Sequence, residues 1–105
     1  FLIFSPITKI YNIMKLLFHY QHGNYECYRQ EMELFNNPPK CDVVFKNCDD
    51  DYIIWEAEQR GVVTVPVCIL YLDNDCITEI NRWNDFVNTK TIDKTIEDYE
   101  TKYLV

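Results

Sequence analysis

The sequence predicts one α/β domain, with a mixed central sheet of about four strands and helices on both faces. Three observations predict it. The chain has 105 residues, enough for one domain and too few for two. It is 48% hydrophobic and 15% aromatic, which supplies a packed core and excludes a disordered tail. Its apolar runs fall in the order strand, helix, strand, helix, two-stranded hairpin, helix. A helix between the first two strands makes them parallel, and the hairpin is antiparallel.

Lys15 to Gln21 (KLLFHYQ) reads as a strand apolar enough to be covered on both faces. A turn at His22-Gly23-Asn24 leads to a helix over Cys27 to Phe35, which Asn36-Asn37-Pro38-Pro39 stops, because proline cannot donate a backbone N–H. Asp42 to Cys48 (DVVFKNC) is the second strand. Asp49-Asp50-Asp51 supplies a cap and first-turn acids for a helix from about Tyr52 to Arg60, with Gly61 at its left-handed end. Val67 to Leu72 (VCILYL) is a third strand, Asp73-Asn74-Asp75 a turn, and Cys76 to Trp83 the returning strand. A last helix from about Thr91 carries Ile92, Ile96, Tyr99 and Tyr103 as one buried stripe.

Residues 1–13 read as an N-terminal extension or a partial first element, with Ser5-Pro6 opening a short helix through Tyr11. Residues 14–105 form the domain. The net charge is −7, and no basic face is visible for nucleic acid. No run approaches the ~20 apolar residues of a membrane span, and no signal peptide is legible. The expected location is therefore cytoplasmic, with five reduced cysteines: Cys27, Cys41, Cys48, Cys68 and Cys76. Their closest spacing is seven residues, too wide for the paired spacing of zinc sites. His19, His22 and Cys27 make a poor metal set, since strand positions 19 and 22 face opposite ways. No motif calls for a cofactor.

The segment Ala57 to Tyr71 (AEQRGVVTVPVCILY) resembles the thioredoxin family. There a helix ends at Gly-Val, a Val-Pro step with a cis proline follows, and then a strand ending in an aromatic. The strand closing at Asn47-Cys48-Asp49-Asp50 is similar to the family's strand that ends in acids, and the resemblance spans roughly residues 15–104. It implies a cis Pro66, a groove beside it in which the Val65 backbone pairs with an extended substrate, and a protein or peptide thiol or disulfide as partner.

The resemblance also implies a Cys-x-x-Cys motif at the start of the first long helix, where one thiol attacks and the second resolves the mixed disulfide. This sequence holds one cysteine there, in Asn24-Tyr25-Glu26-Cys27. Two registers follow. In the favoured one, Cys27 takes the resolving place and Asn24 replaces the nucleophile. In the other, Cys27 is the attacking thiol of a monothiol site, with a longer loop before it. A thiol at a helix start would have a lowered pKa if partly exposed, with Glu26 acting against this. The buried acid that often precedes the motif is replaced by Leu17, Phe18 or His19. The glycine that borders the groove is replaced by Trp83 or Asn84, and a tryptophan there would fill the groove.

The candidate site is thus Cys27 as thiol, with Asn24, Tyr25, Glu26, Val65, Pro66, Trp83 and Asn84 as the groove. Two function classes remain. One is a redox-related thioredoxin-like protein with a degenerate site and weak or absent disulfide reductase activity. The other is a non-catalytic module that uses the groove beside Pro66 for binding or serves as a structural domain.

Overall fold

Strong β-formers and tight caps fix the elements in a computed structural model that describes residues 14–103. The short helix expected over residues 5–11 lies outside that range. Strand β1 (Lys15–Tyr20) is followed by helix α1 (Tyr25–Asn36), strand β2 (Asp42–Asn47), helix α2 (Asp51–Gln59), strand β3 (Val67–Tyr71), strand β4 (Glu79–Trp83) and helix α3 (Thr89–Tyr103). The four strands form one sheet in the order β2-β1-β3-β4. β1 pairs parallel with β2 and antiparallel with β3, and β3 pairs antiparallel with β4. The expected mixed sheet is present, with β1 and β3 at its centre.

Alternation along the central strands divides the core into two layers. Leu16 and Phe18 of β1, with Cys68 and Leu70 of β3, pack against Leu34 of α1 and Ile92 and Ile96 of α3. Leu17, Val67, Ile69 and Tyr71 pack on the opposite face against Ala57 of α2. Helices therefore cover both faces. A clamp joins α1 to the segment before α3: fully buried Gln30 donates to the Val87 carbonyl at 2.9 Å and accepts from the Val87 N–H at 2.8 Å.

α2 begins where Asp50 accepts from the N–H groups of Tyr52 and Ile53, satisfying donors that a first turn leaves free. It ends in a Schellman turn. Gly61, at φ +75°, donates to Glu58, and Val62 donates back to Ala57 at 2.9 Å. The positive φ favours glycine, and the Ala57–Val62 apolar contact seals the turn. This turn delivers the chain to the 62–66 loop.

Three details differ from expectation. The returning strand starts at Glu79 rather than Cys76, because Asp73 accepts from the N–H groups of Ile77 and Thr78 and Cys76 adopts φ +56°. A left-handed residue tied into a turn cannot join a ladder. α3 begins at Thr89, two residues early. Its buried stripe then runs Ile92, Ile96 and Glu100, with Tyr99 half-buried against the core, while Tyr103 is 59% exposed. Tyr103 packs against the Tyr99 ring instead, tilted by 41° at 4.6 Å between ring centroids.

Candidate functional site

Three loops meet at one end of the sheet: the β1–α1 turn, the 62–66 loop ahead of β3, and the segment after β4. Between them lies a groove of about 170 Å³. α1 contributes Asn24 and Glu26, the loop before β3 contributes Thr64, Val65 and Pro66, and the segment after β4 contributes Asn84, Asp85 and Phe86. The Val65–Pro66 peptide is cis. Of the eight site residues expected from sequence, Asn24, Glu26, Val65, Pro66 and Asn84 line this groove.

The other three lie elsewhere. Tyr25 is 71% exposed and lines a separate depression with Tyr28, Arg29 and Phe86. Trp83 does not fill the groove. It pairs with Cys68 across β3 and β4 and packs against the core on the α1 and α3 face, the same face as its ladder partner. Cys27 lies beneath the surface at 2% exposure. Sequence reasoning missed Thr64, Asp85 and Phe86. Thr64 and Asp85 adjoin residues that were named, and the pairing of Arg29 with Glu26 at 2.8 Å and with the Phe86 ring at 4.5 Å has no signature in the sequence.

Asn24 is the N-cap of α1, and its Oδ1 accepts the Cys27 N–H at 3.0 Å. This places Asn24 at the helix mouth and Cys27 three residues on, inside the first turn. Burial raises the pKa of the Cys27 thiol, the Gln21 backbone opposes this, and Glu26 and Glu31 add to the rise. The condition for a helix-activated thiolate, partial exposure, is not met, so desolvation outweighs the dipole.

The residues expected in place of a buried acid are apolar or unable to serve as one. Phe18 is fully buried and packs edge-on against Phe45 at 5.6 Å. His19 is 0% exposed and neither ring nitrogen has a hydrogen-bond partner. Burial, and then the charge of Arg60, push its pKa down to about 4. It is neutral at physiological pH.

The remaining cysteines are free. Cys41, Cys48 and Cys68 are buried and Cys76 is half-buried. Burial pushes Cys41 and Cys68 up to about 12. Among the described residues no cluster of three or more His, Cys, Asp or Glu side chains is placed to hold a metal ion. No helix among them is long and apolar enough to cross a membrane.

Strand order, the two-sided cover and the proline-bordered groove can be compared with known proteins. No family model and no curated protein matches the sequence. Solved structures do match. The malaria parasite's thioredoxin-2, a component of that parasite's protein secretion machinery, superposes with a TM-score of 0.67 at 18% identity, covering 83% of this chain and 84% of that one. This is a thioredoxin-like fold. A mutant thioredoxin from Halobacterium salinarum gives 0.67 at 18% identity, covering 88% and 79% of the two chains. Thioredoxin 1 from Thermosipho africanus gives 0.61 at 21% identity, covering 84% and 96%.

Proposed function

We propose that this chain is a thioredoxin-like protein of the thiol–disulfide class with a degenerate site: a groove that binds an extended protein segment, and weak or absent disulfide reductase activity. The observation that carries this reading is Asn24 at the N-cap of α1, hydrogen-bonded to Cys27, with the only thiol of the motif buried behind it. An amide cannot attack a disulfide, and a desolvated thiol with a raised pKa supplies little thiolate near neutral pH. The monothiol alternative needs Cys27 exposed and ionised, and both its burial and its pKa oppose that.

The groove suits an extended backbone flanked by a basic side chain. Asp85 supplies a carboxylate, Glu26 one already paired with Arg29, and Asn24, Thr64 and Asn84 supply neutral polar groups. Arg29 is engaged with Glu26 and Phe86. Opposite charge on the partner would steer its encounter and fix its register.

Insulin reduction by dithiothreitol or a reductase, followed as turbidity, tests the reading. The wild type should remain at the uncatalysed rate. Asn24→Cys restores two thiols at the family's spacing and should raise the rate at least tenfold. Wild-type turnover well above background, lost in Cys27→Ser, would replace this proposal with a working monothiol enzyme.

A further inference from the structure

The sheet has two outer edges, and one of them is both regular and open. The order β2-β1-β3-β4 leaves β2 and β4 outermost among the described strands. The β3–β4 ladder carries a register shift between Leu70 and Tyr71, and such an irregularity blunts an edge. β2 instead pairs with β1 without a break from Asp42 to Asn47.

The phase of β2 can be read from its end. The Cys48 N–H bonds to the Tyr20 carbonyl at 2.7 Å, so position 48 turns its backbone towards β1. Successive residues of a strand turn their N–H and C=O to opposite sides, so Asp42, Val44 and Lys46 also face β1. Val43 and Phe45 therefore direct their N–H and C=O groups away from the sheet. Among the described residues no hydrogen bond reaches these four groups. Side chains alternate between the two faces. Val44 packs in the α2-side core and Lys46 reaches Glu56 of α2 at 3.0 Å, so Asp42 lies on that face with them. Val43 packs against the opposite core layer, and Phe45, 45% exposed, lies edge-on to Phe18 on that side.

We propose that β2 pairs antiparallel with β2 of a second copy of this chain, about a twofold axis at Val44, joining two four-stranded sheets into one. That register sets Val43 opposite Phe45 of the second copy, so every outward N–H meets an outward C=O and both exposed Phe45 rings are covered. It also sets Asp42 opposite Lys46 of the second copy, twice. Asp42 is already bound to Lys15 at 2.9 Å and Lys46 to Glu56, so the pairing extends a row of alternating charge. Registers centred on Val43 or Phe45 put no carboxylate of the strand opposite Lys46. Opposite charges directly across an antiparallel pair stabilise it, and like charges oppose it. The charged side chains that usually keep an edge from pairing here select one register. A twofold contact closes on itself, so growth stops at a dimer. No residue of the groove beside Pro66 comes from β2, so the pairing stands or falls independently of the proposed function.

Sedimentation of the full chain from micromolar to millimolar concentration tests this. The wild type should pass from monomer to dimer. Val43→Pro removes an outward N–H where an edge strand tolerates proline, and it should stay monomeric. Asp42→Lys and Lys46→Glu should each set like charges across the twofold and weaken the dimer about tenfold. Mixed in equal amounts, these two should recover a dimer as tight as the wild type, because each lysine again faces a carboxylate. That recovery decides the register even if the proline variant fails to fold. A wild type that is monomeric throughout, a dimer that survives Val43→Pro, or a mixture no tighter than its components would each overturn the proposal. In the first case, Val43 and Phe45 amides protected from hydrogen exchange would show that another segment of the chain covers the edge.

Discussion

Asn24 serves the fold as a helix cap and, under the proposed reading, also stands where an attacking thiol would be. Its side chain caps α1 by accepting the Cys27 N–H, and replacing such a cap costs about 1 kcal/mol. Asn24→Cys should therefore lose that much stability while gaining reductase activity. Cys27 carries its own prediction. Its pKa is raised by burial first and by Glu26 and Glu31 next, so thiolate forms above the ordinary thiol range near ~8.5. With iodoacetamide on the folded protein, half-buried Cys76 should label first. Cys27 should label slowly, its rate climbing with pH until the alkaline side of that range. Labelling of Cys27 ahead of Cys76 at neutral pH would contradict the burial argument.

At the scale of elements, strands and helices were legible because each sequence run carries both a period and a stop. Proline ends α1, Asp50 starts α2 and Gly61 closes it, all within a residue or two of expectation. What could not be read was the direction in which residues after β3 face. A register shift between Leu70 and Tyr71 pairs Leu70 with Asn81 but Tyr71 with Glu79, and such a bulge changes the phase of a strand. Trp83 therefore faces the core while Asn84 to Phe86 reach the groove. The resemblance placed five of the eight groove and thiol residues around one opening, because it marked loop ends rather than side-chain directions. The Gln30 clamp was invisible as well, since a glutamine on a helix has no sequence mark for a partner 57 residues away. Gln30→Leu leaves the Val87 N–H and carbonyl without partners and should cost about 2–4 kcal/mol. Chemical denaturation should show that loss. Hydrogen exchange in the Asn84–Val87 segment should rise beyond the global change, and equal protection there would deny the clamp its positioning role.

For the whole molecule, the consequence that reaches furthest is the neutral histidine in the core. Two residues beyond Leu17 on β1, His19 faces the α2 side of the sheet, buried and without a hydrogen-bond partner. Burial chiefly, then Arg60, with lesser contributions from Lys46 and Arg82, push its pKa down to about 4 against an ordinary 6.5, and the Val67 backbone, third in size after Arg60, opposes them without reversing the shift. The folded state therefore resists a proton that the unfolded chain accepts. Above pH 6.5 both states are neutral and His19 exacts no penalty. As pH falls from 6.5 towards 4, the unfolded state takes up the proton alone and stability drops. Below about 4 both states are protonated and the loss is complete. A shift from 6.5 to about 4 corresponds to about 3 kcal/mol in all, a large part of the ~5–15 kcal/mol that holds a domain together. Carboxylates titrate in the same range, so the comparison must be with His19→Leu, which keeps the apolar packing and cannot take up a proton. Urea unfolding at pH 7 and pH 4.5 should show the wild type losing about 2–3 kcal/mol more than the variant over that interval. Parallel losses in the two proteins would mean that the core accommodates an imidazolium at no cost, by opening locally or by bringing a carboxylate to His19.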